Sequence, residues 1–213
     1  IEAIATPGGT GAIRNTIRNY SAPGDSVLTS DWYWSPYHTI ADEHDRKLET
    51  YPMFNEKNEF HLSAFEQKVD ELLRKQEQLV ILLNAPAHNP TGYSPSMAEW
   101  EAIINILKKA VQKRNKKIIL FLDAAYIDFA GETNECRAFM KYFSNLPENI
   151  LVIIGFSMSK SYTMYGMRCG ALLCMSLDKA IVDEFKLVNS FSNRGTWSNG
   201  TRSAMVVLSR IFA

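Results

Sequence analysis

Short apolar runs rich in β-branched residues alternate along the chain with longer amphipathic stretches, a pattern that predicts strands interleaved with helices. Seven runs read as strands: Glu2 to Thr6, Ser26 to Ser30, Lys47 to Pro52, Leu79 to Asn84, Lys117 to Leu122, Leu151 to Phe156 and Cys169 to Met175. A first helix opens at Gly8-Gly9-Thr10-Gly11, carries Ile13, Ile17 and Tyr20 on one face, and is stopped by Pro23-Gly24. Phe65, Val69, Leu72 and Leu73 mark the core face of a second helix, and Trp100, Ile103, Ile104, Leu107 and Val111 that of a third. Ser63-Ala64-Phe65-Glu66 and Ser96-Met97-Ala98-Glu99 each have the spacing of a capping box. The alternation predicts a three-layer α/β/α domain around a seven-stranded, mostly parallel sheet covered on both faces.

Composition narrows the function classes. With 213 residues, 46% hydrophobic and 22% charged, the chain is long enough for one large domain or two small ones. Lys+Arg and Asp+Glu both number 23, so neither a nucleic-acid surface nor an acidic tail is expected, and Lys113-Arg114-Asn115-Lys116-Lys117 reads as a solvated helix end. No apolar stretch reaches the length of a membrane span. Cys136, Cys169 and Cys174 lack metal-ligand or paired spacing, so reduced thiols in a cytoplasmic protein and no metal site are expected. The chain starts at Ile1 and stops inside an apparent helix, Ser203 to Arg210, which suggests a piece of a longer protein.

The candidate chemistry gathers where strands end. Asn89, Asp123 and Lys160 all fall just beyond carboxyl ends of strands, the edge at which open α/β sheets bind ligands. Lys160 lies in Ser157-Met158-Ser159-Lys160-Ser161, with Arg168 eight residues on. A lysine condenses with an aldehyde only as the neutral amine, a form that a desolvated, electropositive site favours. Asp123 ends Ile118-Ile119-Leu120-Phe121-Leu122, so its carboxylate needs a cation or several donors. Gly8-Gly9-Thr10-Gly11 puts small residues and a hydroxyl at a helix start, where free amides attract an anion, but it is not a Walker A loop. Ser157 to Lys160 also fits the Ser-x-x-Lys of serine β-lactamases, yet the chain contains neither Lys-Thr-Gly nor Ser-Asp-Asn.

Taken in order, Gly8-Gly9-Thr10-Gly11, Asn89-Pro90-Thr91-Gly92, Asp123-Ala124-Ala125-Tyr126 and Ser157-Met158-Ser159-Lys160 with Arg168 resemble the large domain of class I aminotransferases over essentially the whole chain. These are fold type I enzymes that depend on pyridoxal 5'-phosphate. The resemblance implies that residues 1–213 are the cofactor-binding domain, that the last strand runs antiparallel, and that a smaller domain built from both chain ends lies outside this sequence. It implies that Lys160 holds the cofactor as a Schiff base and then shuttles a proton. Asp123 would face the ring nitrogen, and Asn89 and Tyr126 the phenolic oxygen. Gly9, Thr10, Ser157, Ser159 and Arg168 would hold the phosphate. Trp34 is the choice for the aromatic that stacks on the ring, with Tyr33 the alternative.

Arg194-Gly195-Thr196-Trp197-Ser198-Asn199 is similar to a segment of aspartate aminotransferases whose arginine crosses a dimer interface to bind the substrate's distal carboxylate. The prolines usual after Ser-Asn are here Gly200 and Thr201. The implied activity is amino-group transfer from aspartate, with an aromatic amino acid next, to a 2-oxo acid such as 2-oxoglutarate, in a homodimer with shared sites. A lyase or decarboxylase using the same cofactor, or the sensor domain of a transcription regulator, is the alternative. The arginine for the substrate α-carboxylate and a partner tyrosine for the phosphate would lie outside this sequence.

Overall fold

A computed structural model describes every residue except Phe212. The strands are β1 (Glu2–Thr6), β2 (Ser26–Ser30), β3 (Lys47–Tyr51), β4 (Gln78–Asn84), β5 (Lys117–Asp123), β6 (Ile150–Ser157) and β7 (Gly170–Met175). They form one sheet in the order β1-β7-β6-β5-β4-β2-β3. The pairs from β6 across to β3 are parallel, and β7 runs antiparallel to both β6 and β1. The helices are α1 (Gly8–Asn19), α2 (Pro36–Glu43), α3 (Leu62–Lys75), α4 (Met97–Arg114), α5 (Met158–Ser161), α6 (Lys179–Thr196) and α7 (Arg202–Ile211).

The period-two geometry of the strands divides the core into two layers. Leu79, Ile81 and Leu83, Ile118, Leu120 and Leu122, and Val152 and Ile154 face the side covered by α3, α4 and the 3-10 segment Glu135–Phe143. The alternate positions Val80, Leu82, Ile119, Phe121 and Ile153 face α1, α2 and Phe185 of α6. Because both faces are packed, the central strands are apolar at nearly every interior position, and polar residues fall at their ends: Gln78 and Lys117 open β4 and β5, and a second pair closes them. Asn84 and Asp123 are that pair, and they are register partners at the ends of β4 and β5.

Local expectations differ from the structure at a few places. The Ser96 capping box forms with Glu99. The Ser63 box does not, because α3 starts earlier: His61 is the N-cap, its ring nitrogen accepts from the Ala64 amide at 3.4 Å, and Ser63 falls inside the first turn. The end of α4 is tied down as well as solvated. Arg114 donates to both oxygens of Asp70 on α3, at 2.8 and 3.0 Å from Nη2 and at 2.9 Å from Nε, and Arg74 and Lys113 add contacts at 2.5 and 3.2 Å. These cations hold the Asp70 carboxyl well below the usual carboxylate range.

Candidate active site

A cleft at the carboxyl edge of the sheet is lined by Gly9 and Thr10 from α1, Trp34 after β2, Asn89 after β4, Asp123 at the end of β5 and Tyr126 beyond it, Ser157 at the end of β6, and Ser159, Lys160 and Arg168 beyond that. Ten side chains or backbone segments spread over most of the chain therefore meet at one place. Tyr33 is not among the lining residues and packs instead against the core beneath α1 and α2.

The floor of one end is the start of α1. Its N-cap, Pro7, makes no side-chain cap bond, so the first-turn amides are left to a ligand. Arg168 closes over this end. It donates from Nη1 to Ser159 Oγ at 3.2 Å and to the Tyr165 carbonyl at 2.8 Å, and from Nη2 to the Pro7 carbonyl and Thr10 Oγ1, each at 3.3 Å. No carboxylate pairs with it among the described residues. Its backbone sits in the left-handed region, φ 48° and ψ 56°, a conformation that non-glycine residues hold at some cost and that recurs at functional sites. An uncapped helix start, two serines, a threonine and an unpaired guanidinium make an anion cradle that fits a phosphate ester.

Lys160 is delivered by a single helical turn. Ser157 ends β6 and caps α5, its Oγ accepting from the Ser159 amide at 3.2 Å, so the chain turns at once and places Lys160 at the cleft. The Lys160 Nζ stands 5.5 Å from the centre of the Tyr126 ring and 5.1 Å from that of Tyr165, so two aromatic rings flank the amine.

At the opposite end Asp123 is buried. Its Oδ2 accepts from the Tyr37 hydroxyl at 2.5 Å and its Oδ1 from the Ala125 amide at 3.3 Å. Burial pushes the carboxyl above its ordinary pKa, and these two donors pull the other way. No cation reaches it among the described residues. A buried carboxylate facing a cleft without a counter-charge fits a ligand that brings a protonated ring nitrogen. Asn84 organises the neighbouring loop, donating to the Asp123 carbonyl at 3.0 Å and accepting from the Asn89 amide at 2.6 Å. The Asn89–Pro90 bond is cis, and Asn89 lines the cleft.

Arg194 is not brought to this cleft. It lies in the last turn of α6, exposed, and donates to Ser198 Oγ at 2.7 Å. Sequence reasoning in turn passed over Asn84, Tyr165 and Tyr37. Asn84 carried the same signal as Asp123, a polar residue closing an apolar strand. Tyr37 begins the Tyr37, Ile40, Ala41 stripe of α2, helical spacing that turns it toward the sheet.

The model of the family described as aminotransferase class I and II matches residues 1–210. An aminotransferase structure from Anaerococcus prevotii is 43% identical, with a TM-score of 0.96 over 98% of this chain and 51% of that one. An aromatic-amino-acid aminotransferase of Burkholderia pseudomallei, solved covalently bound to pyridoxal phosphate, is 25% identical with a TM-score of 0.78, over 93% of this chain and 48% of that one. The aromatic-amino-acid aminotransferase of Pseudomonas aeruginosa is 28% identical over 200 residues, 92% of this chain and 47% of its own length. The chain thus spans about half the length of this curated relative.

Proposed function

The chain belongs to the class I and II aminotransferases, and from that premise we propose that it is the cofactor-binding part of a pyridoxal-phosphate-dependent transaminase, which moves an amino group from an amino acid to a 2-oxo acid. One observation carries the reading: a single cleft joins an anion cradle, a lysine amine and a buried carboxylate that no cation reaches among the described residues.

Bound pyridoxal phosphate supplies an aldehyde that condenses with amines and a ring that takes up the electron pair left when the α-proton departs. The chain's own groups then have separable tasks. Gly9 and Thr10 at the α1 start, with Ser157, Ser159 and Arg168, would hold the phosphate. Trp34 would form a flat apolar wall for the ring, and Asn89 and Tyr126 would donate hydrogen bonds to its phenolic oxygen. Asp123, kept from water, favours the protonated ring nitrogen. Lys160 would hold the cofactor through its aldehyde, and its amine, when free, would serve as the base and acid that carries the substrate's α-proton.

The favoured donor is aspartate, with an aromatic amino acid next and 2-oxoglutarate as acceptor. The support for a dicarboxylic substrate is Arg194: exposed at the end of α6 and away from its own chain's cleft, it is free to serve the cleft of a second copy in a homodimer. The test is an amino-donor screen of the full-length protein with 2-oxoglutarate. A 2-oxo acid formed in step with glutamate supports the proposal. Ammonia with pyruvate would mark an elimination enzyme, and no turnover with any donor despite cofactor binding would mark a ligand sensor.

A further inference from the structure

Tyr37 has no task in the chemistry above, and it does not line the cleft. Yet it touches two groups that do. Its ring is completely buried and meets the Trp34 ring edge-on, with centroids 5.8 Å apart and planes at 89°. Its hydroxyl donates to Asp123 Oδ2 at 2.5 Å, the short distance of a bond to a charged oxygen. A buried tyrosine hydroxyl needs a partner, and a main-chain carbonyl would satisfy it. Here the partner is the one carboxylate whose desolvation shapes the site.

The contacts of Asp123 are unequal. Oδ2 is engaged by Tyr37, a residue outside the cleft lining, whereas Oδ1 accepts a single long bond from the Ala125 amide at 3.3 Å. With one oxygen fastened from behind, rotation about the carboxylate's own bond is blocked and the less committed oxygen is the one left for a ligand. Burial and the adjoining carboxylate push the Tyr37 hydroxyl well above its ordinary pKa, so at neutral pH it is the donor in this bond.

We infer that Tyr37 is a positioning residue: one side chain of α2 fastens the Asp123 carboxylate through its hydroxyl and sets the Trp34 ring through its own, aligning the charged end and the flat wall of the same cleft. The inference rests on the proposed function, in which Asp123 and Trp34 face the cofactor ring.

The two contacts can be removed separately. Tyr37→Phe keeps the ring and loses the donor; Tyr37→Leu loses both. In the full-length protein freed of cofactor, Tyr37→Phe should bind inorganic phosphate as the wild type does, which also shows that it is folded. Its affinity for pyridoxal phosphate should fall roughly tenfold or more, as expected for loss of a hydrogen bond to a charged group. In the cofactor-bound protein the pH midpoint of the visible absorbance band should move. The near-ultraviolet tryptophan signal should stay in Tyr37→Phe and change in Tyr37→Leu. Tyr37→Phe added to Asp123→Asn should cost much less than it does alone, because the hydroxyl acts through the carboxylate. Unchanged affinity and midpoint in Tyr37→Phe, or full additivity with Asp123→Asn, would overturn the inference while leaving the proposed function intact. Wild-type protein that binds phosphate but not pyridoxal phosphate would overturn the proposed function, and this inference with it.

Discussion

Replacing Gly8 by alanine should damage the anion cradle through geometry alone, without removing any of its side chains. Gly8 has φ +74°, in the left-handed region, where a Cβ costs about 1–2 kcal/mol. The added Cβ would also lie 2.5 Å from Arg168 Nη2 and 2.9 Å from its Cζ. Contacts that close do not persist, so the guanidinium must move. In moving it gives up the Nη2 bonds to the Pro7 carbonyl and Thr10 Oγ1, both 3.3 Å long and therefore weak, at about 1 kcal/mol each. The total is about 3–4 kcal/mol, which for a domain of this size lowers Tm by roughly 6–15 °C. Gly24→Ala is the control. It has φ +86° but nothing within 4 Å of an added Cβ, so it carries the backbone cost without the displacement. It should melt only a few degrees low, by about 2–4 °C per kcal/mol. The decisive assay is isothermal titration with inorganic phosphate alongside thermal melts of both variants. Gly8→Ala should lose phosphate affinity by about tenfold or more, since Arg168 is the charged group of the cradle, and Gly24→Ala should lose none. Equal melting of the two variants together with equal phosphate affinity would refute the argument that Gly8 exists to make room for Arg168.

Three further outcomes are expected. Borohydride treatment of the cofactor-loaded protein should fix the cofactor to a single peptide, the one containing Lys160; label on another lysine would remove Lys160 from the chemistry. Burial raises the pKa of Asp123 in the folded state, so the folded chain holds this proton more tightly than the unfolded one. The contribution to stability is therefore complete below the unfolded value and is lost as pH rises through the folded one. Without cofactor, Asp123→Asn should accordingly gain stability relative to wild type as pH rises across that window, measured by urea melts; a difference that does not vary with pH would show that the carboxylate is not desolvated. Arg194→Ala should lower kcat/KM for aspartate and 2-oxoglutarate by roughly two orders of magnitude while sparing aromatic donors. Hybrids of Arg194→Ala with Lys160→Ala chains should recover up to about half the activity, since one of the two sites of a symmetric dimer then has both residues intact; equal losses on all donors, or no recovery in verified hybrids, would make Arg194 a structural residue.

Much of the architecture is written locally. Strand positions follow from β-branched runs, and the polar residues closing β4, β5 and β6, namely Asn84, Asp123 and Ser157, mark the ligand edge, because a fully covered sheet admits polar groups only where its strands end. The Gly8 to Gly11 turn, the Ser157 to Lys160 turn and the Ser96 capping box are likewise legible, since each is completed by neighbours within a few residues. The Ser63 box shows the limit: its spacing is as good as that of Ser96, but His61 reaches the amide first.

What the chain alone could not reveal are the contacts that the sheet order creates. Tyr37 and Asp123 are 86 positions apart, and Thr10 and Arg168 are 158 apart. They meet because β6 has β5 on one side and antiparallel β7 on the other, with α1 folded across them. No periodicity encodes that neighbourhood. It follows from burying both faces of one sheet in a single packing solution, so the sequence by itself marked candidates for the chemistry, and tertiary structure decided which of them share a carboxylate, a guanidinium or a wall.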